Sequence, residues 1–136
     1  MIRFVLDCSV ATAWCFSDQA DAYTWSVLAR LAKSDAVVPA IWRVELANVL
    51  AVAERRKRIQ KSASMKFLGA LDRFRFSVDN ETSDRAWGPI LTLARDQRLS
   101  AYDAAYLELA IRRKLPLATR DEGLKRAAAL LAVDLL

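Results

Sequence analysis

Four carboxylates in this chain stand where ordinary chain geometry can bring them together. Asp7 ends the short apolar run FVL, and Asp121 follows a second short run, PLAT. Asp103 lies in SAYDAAY and Glu45 in RVELANVL, each near the start of a helical pattern. An acid at a helix start has an ordinary role, capping amides or complementing the dipole for about 0.3–2 kcal/mol. Glu45 and Asp103, however, sit among apolar neighbours, where an acid is costly unless paired or bound to metal. Converging carboxylates repel, by about 1 kcal/mol per pair at 4 Å in water and by more at lower dielectric. A cation resolves that conflict, and oxygen-only ligation favours Mg²⁺ or Mn²⁺. Water on such an ion becomes a nucleophile, and the ion stabilises charge growing on a phosphoryl group.

The composition narrows the chemistry further. None of the 136 residues is histidine. That removes Ser-His-Asp triads, Cys-His catalysis, HExxH zinc sites and histidine acid–base pairs. With Gly at 3 and Pro at 3, a Gly-rich phosphate cradle is not expected. Cys8 and Cys15 would lie about 10 Å apart along a helix, beyond the roughly 7 Å that a disulfide spans. Two thiols without histidine make a poor zinc site, so they read as small apolar helix residues. The net charge of +5 suits a polyanionic partner. An acidic site on a basic protein without histidine points to metal-dependent phosphodiester hydrolysis.

The elements that position these acids follow from the patterning. A chain of 136 residues, 54% hydrophobic, makes one domain over 1–136 with a full core. Strands are expected at 2–6, 36–39, 76–79, 116–119 and 132–136. Helices are expected at 9–16, 20–33, 41–57, 62–74, 82–98, 101–114 and 122–131, with a kink at Gly88-Pro89. The apolar positions are Trp25, Leu28, Ala29 and Ala32 on the second helix, and Val44, Ala47, Leu50 and Ala51 on the third. On later helices they are Met65, Leu68 and Leu71, then Tyr102, Tyr106, Leu109 and Ala110. Trp14, Trp25, Trp42 and Trp87 are expected mostly in the core. Strands alternating with helices mean an α/β fold with a mostly parallel sheet, whose ligands bind beyond the carboxyl ends of the strands. Asp7 and Asp121 then share one sheet edge, and the helices carrying Glu45 and Asp103 start there. No apolar run reaches the ~18 residues of a membrane span, and MIRFVLDC lacks signal-peptide features. The expectation is a cytosolic protein with no membrane partner.

The stretches FVLDCSVATAWCFSDQ, PAIWRVELANVL and LSAYDAAYLELAIRRKLPLATRDEGLKRAA, with the closing run, resemble a PIN domain of the VapC toxin type. The resemblance covers essentially the whole chain. It rests on the combined order D-x-S, E-x-x-N, S-x-x-D-x-x-Y and T-x-D-x-x-L. It implies a three-layer fold with a central, mostly parallel sheet between helices. It also implies an acidic quartet of Asp7, Glu45, Asp103 and Asp121, with Asp7 and Asp103 as metal ligands. Ser9 and Thr119 match hydroxyls that steady the carboxylates or a water, and Asn48 and Ser100 match two further supporting positions. Glu122, next to Asp121, is an alternative fourth acid. The implied activity is an Mg²⁺- or Mn²⁺-dependent RNA endonuclease toxin, held inactive by a cognate antitoxin and forming a homodimer. RNA and toxin come from the resemblance alone.

The run ERRKRIQK gathers Arg55, Arg56, Lys57, Arg58 and Lys61. It suits a solvated helix end whose cations complement the dipole, and it also suits steering of RNA phosphates. The run Arg112 to Lys114 has the same two readings. Three rivals remain. An aspartyl phosphatase usually wants a second acid where this chain has Ser9. A receiver domain needs a lysine just after its last strand, where this chain ends DLL. A non-catalytic RNA-binding or interaction module on the same scaffold would not need all four acids.

Overall fold

Short runs rich in Val, Phe and Leu become strands here, and the longer amphipathic stretches between them become helices. A computed structural model describes residues 3–136. In order, the elements are β1 (Phe4–Leu6), α1 (Cys8–Cys15), α2 (Ala22–Leu31), β2 (Ala36–Pro39), α3 (Trp42–Arg55), α4 (Lys61–Leu71) and β3 (Phe76–Asp79). They continue with α5 (Thr82–Arg85), a π-helical turn (Ala86–Ile90), α6 (Leu91–Gln97), α7 (Ala101–Arg113), β4 (Leu117–Ala118) and α8 (Glu122–Leu130). Ile2, expected in the first strand, lies outside the described residues.

All four strands run parallel in the order β3-β2-β1-β4, with Val5 opposite both Val37 and Leu117. β1 is fully buried, as a central strand covered by helices must be. α7 packs across β1, β2 and β4, α6 and α8 pack on α7, and α1 packs on α2 and α3. This is the expected three-layer α/β architecture. The chain steps from β1 to β2 to β3 in one direction, then returns to place β4 on the other side of β1. The sheet therefore has a switch point between β1 and β4, where α/β folds open a crevice beyond the strand ends.

Several expectations about packing faces are corrected. α3 buries Trp42, Leu46, Leu50 and Ala53, whereas Val44, Ala47 and Ala51 face outward. α2 buries Thr24, Val27 and Leu31, leaving Trp25 and Ala29 exposed. Met65, Tyr102 and Trp87 are also exposed, and of the four tryptophans only Trp42 is fully in the core. Each of these helices carries apolar residues on more than one face; on α3 the sheet side went to Trp42, whose ring lies 4.8 Å from that of Phe76, whereas on α2 the tryptophan stayed outside and Val27 and Leu31 went in. A final strand at 132–136 does not form. A single parallel bridge, Leu117 to Leu135, stands in its place, in which the Leu117 N–H donates to the Asp134 carbonyl and the Leu136 N–H to the Leu117 carbonyl. The kink at Gly88-Pro89 takes the form of a π turn. Pro89 has no N–H for the helical ladder, and the Leu91 N–H reaches back five residues to the Ala86 carbonyl.

One polar cluster ties the far end of α7 to the sheet. Asp79, fully buried at the end of β3, accepts from Arg112 Nη2 at 2.6 Å and Arg113 Nη2 at 3.1 Å. Arg112 also pairs with Glu108 at 2.9 Å and Glu81 at 3.2 Å. Burial alone would raise the Asp79 pKa, but hydrogen bonds from Arg112 and Thr82 and the nearby positive charge outweigh it and bring it down to about 2. The Arg112–Arg113 pair is thus committed to the fold.

Candidate functional site

Asp7 occupies the N-cap position of α1, yet its side chain makes no capping bond. Its Oδ2 instead accepts from the hydroxyls of Ser9 and Thr119, both at 2.7 Å. Those hydroxyls are oriented in turn. Ser9 Oγ accepts from the Arg120 N–H at 3.1 Å, and Thr119 Oγ1 from the Asp121 N–H at 3.0 Å. Since both hydroxyls are occupied as acceptors, their protons point at Asp7. The ends of β1 and β4 are stitched together through one carboxylate oxygen, at the switch point of the sheet.

The other acids arrive on helix starts. Glu45 lies in the first turn of α3 and accepts from the Tyr106 hydroxyl at 2.6 Å. Asp103 lies in the first turn of α7, but the cap there is Ser100, whose Oγ accepts from the Asp103 N–H at 3.1 Å. The Asp103 carboxylate is therefore not consumed by capping. Asp121 does cap its helix, accepting from the Leu124 N–H at 2.8 Å. Glu122 points outward, its side chain 88% exposed and 3.5 Å from Lys125.

One cavity of about 810 Å³ is lined by Asp7, Glu45, Asp103 and Asp121 together with Ser9 and Asn48. Ser100 and Thr119 stand behind it and act through their hydrogen bonds. Burial pushes the Asp7 carboxyl up, and the charge of Asp121 adds to that against the hydrogen bonds of Ser9 and Thr119. Burial raises Glu45, reinforced by Asp7 and Asp103 and opposed by the Tyr106 bond. Burial raises Asp103 too, helped by Asp121 and Asp7. The acids thus feel one another, and none of the four is in an ion pair among the described residues. The Cys8 thiol, also in the cavity wall, is pushed up to about 12 by burial, which leaves it protonated and inert.

Among the described residues, no three acidic or thiol groups already stand close enough to form a finished metal cluster. The donor set nevertheless fits a hard divalent ion in kind. It is all oxygen, it faces one cavity, and it carries mutual repulsion with no lysine or arginine in an ion pair to it among the described residues.

Sequence reasoning did not find Tyr106 as the partner of Glu45, nor Arg120, Gln19 and Tyr102 in the cavity wall. A signal for Tyr106 was present, since a residue three places after Asp103 shares its helix face. The basic run Arg55, Arg56, Lys57, Arg58 and Lys61 does not line the cavity. Arg58 instead pairs with Asp18 at 3.5 Å and lies over the Phe16 ring at 4.8 Å. A second cavity, of about 650 Å³, includes Arg3, Lys33, Arg73 and Arg75. Lys33 and Arg73 lie two residues beyond the C-terminal ends of α2 and α4, where cations complement helix dipoles.

A family profile for the PIN domain matches residues 4–130. No curated protein matches the sequence. Among solved structures, PAE2754 from Pyrobaculum aerophilum is similar at a TM-score of 0.68 and 21% identity, covering 93% of this chain and 79% of that one. VapBC2 from Rickettsia felis, bound to a DNA fragment from its promoter, is similar at a TM-score of 0.68 and 17% identity, covering 92% of each chain. These likenesses extend the agreement in fold to nearly the full length of the chain.

Proposed function

Because the chain belongs to the PIN domain family, we propose that it is a divalent-metal-dependent RNA endonuclease of the VapC toxin type. The observation that carries this reading is the single cavity lined by Asp7, Glu45, Asp103 and Asp121, none of which is in an ion pair among the described residues. An acidic set of this kind, with Asp7 buried and the other three half-buried, has a use for metal and little use otherwise. Asp7 and Asp103 are the proposed ligands, with Glu45 and Asp121 completing the charge and holding water. Bound Mg²⁺ or Mn²⁺ supplies a nucleophilic water at neutral pH and offsets charge on the phosphoryl oxygens. Ser9 and Thr119 fix the Asp7 carboxylate, and Tyr106 fixes Glu45, so little reorganisation is left for the reaction itself.

The partner in this reading is a cognate antitoxin, with the toxin itself a homodimer. The exposed apolar residues Trp25 on α2, Val44 on α3 and Met65 on α4 support a protein partner over these helices. An Arg or Lys from that partner, reaching the carboxylates, would neutralise the cluster and displace metal at once. Free protein should cleave RNA with Mg²⁺ or Mn²⁺, stop with EDTA, and lose activity as Asp7→Asn. Full activity in chelator would refute the metal role. RNA binding without cleavage under every metal condition would favour the non-catalytic module.

A further inference from the structure

The acidic cavity is larger than a hydrated ion requires. At about 810 Å³ it has room for many waters, each of which takes roughly 30 Å³ in the liquid. Its wall also holds groups with no obvious business at a metal. Tyr102, one residue before Asp103, is 63% exposed, while its helix buries every residue from Ala104 to Ala110. Val44 lines the same cavity from α3 and is 71% exposed. Arg120, near Asp21 but in no ion pair among the described residues, and Gln19 complete the wall.

An exposed aromatic residue, an arginine that feels Asp21 but forms no close ion pair among the described residues, and a glutamine beside a carboxylate cluster match the parts of one nucleotide. A π face accepts any base, a guanidinium accepts phosphate, and an amide reads a base edge. We infer that Tyr102 is a stacking platform that positions an unpaired RNA base beside the scissile phosphate, with Arg120 on a neighbouring phosphate. The inference rests on the nuclease reading and names the substrate form, a single strand whose bases are free to splay. Tyr102 acts here as a positioning residue. The Ser100 cap holds the first turn of α7, and so sets Tyr102 and Asp103 in a fixed relation.

The test uses the full chain and a labelled single-stranded oligoribonucleotide, with Ca²⁺ in place of Mg²⁺ so that binding is read without cutting. Tyr102→Ala should weaken binding roughly 5- to 150-fold, the range for loss of one stacked base, and Tyr102→Phe should retain it. With Mg²⁺, Tyr102→Ala should raise KM far more than it lowers kcat. An abasic nucleotide scanned through the oligonucleotide should weaken wild-type binding at one position, and at that position Tyr102→Ala should add nothing. A merely structural role for Tyr102 would not produce that equivalence. Unchanged RNA binding by Tyr102→Ala overturns the inference, and so does loss of a co-purifying protein partner with RNA binding intact. Cleavage that ignores Tyr102 refutes the stacking and leaves the nuclease standing. Tyr102-dependent binding with no cleavage under any metal does the reverse.

Discussion

The Tyr106 hydroxyl donates to Glu45 Oε1 at 2.6 Å, joining α7 to α3 between residues 61 positions apart. Tyr106 is also among the largest fully buried side chains, so its ring belongs to the core while its hydroxyl belongs to the site. Tyr106→Phe keeps the ring and deletes one hydrogen bond, which should cost about 1 kcal/mol and lower the melting temperature by roughly 3–5 °C. The bond favours ionised Glu45. Its loss should move the acid limb of the pH–rate profile upward, and an unmoved limb would mean that Glu45 is not among the titrating groups.

Asp7, Glu45 and Asp103 all have pKa values raised above their ordinary 3.8 and 4.5. A carboxyl raised in the folded state binds protons more readily there than when unfolded. Its ionisation therefore costs stability as pH rises above the ordinary carboxylate value through the folded one. Metal-free protein should melt higher just above the ordinary carboxylate range than at neutral pH, and Mg²⁺ should remove the difference. Asp103→Asn should melt higher than wild type without metal and lose the Mg²⁺-induced rise. A lower metal-free melting point would show that Asp103 supports the helix more than it strains the site.

Asp79 behaves in the opposite sense. Its pKa is lowered from 3.8 to about 2, so its contribution is complete above about 4 and is lost as pH falls towards 2. Asp79→Asn should destabilise by about 3 kcal/mol, because it leaves the poorly exposed Arg112 short of its main partner. The variant should also lose the acid unfolding step in this window. RNA cleavage at a temperature where it stays folded should be close to wild type, since Asp79 does not line the acidic cavity.

Asp121 and Glu122 separate cleanly by substitution. Asp121→Asn keeps a side chain that caps α8 and loses only the charge, so stability should hold while cleavage falls. Asp121→Ala should lose about 1 kcal/mol as well, the usual worth of a cap. Glu122→Gln should be silent in both assays. Loss of cleavage in Glu122→Gln alone would transfer the fourth acidic position to Glu122.

The sequence by itself determined the order of elements and the edge at which the acids meet. Apolar runs of strand length, stopped by an aspartate, a threonine or a proline, can be read locally. A parallel α/β connection then places every strand end and every following helix start on one side. That is why Asp7, Glu45, Asp103 and Asp121 could be assigned to one place before any coordinates. Tertiary structure alone decided which face of each helix is buried. α3 has two candidate stripes, and local spacing does not choose between Val44–Ala47–Ala51 and Trp42–Leu46–Ala53, because the choice depends on the shape of the sheet they meet. The same holds for Tyr102 and Tyr106, four residues apart on α7. One became the open rim of the cavity, and the other became the buried donor to Glu45. Periodicity ranks neighbours along one helix, whereas the division between core and site is set by contacts with chain 61 residues away, which no local window contains.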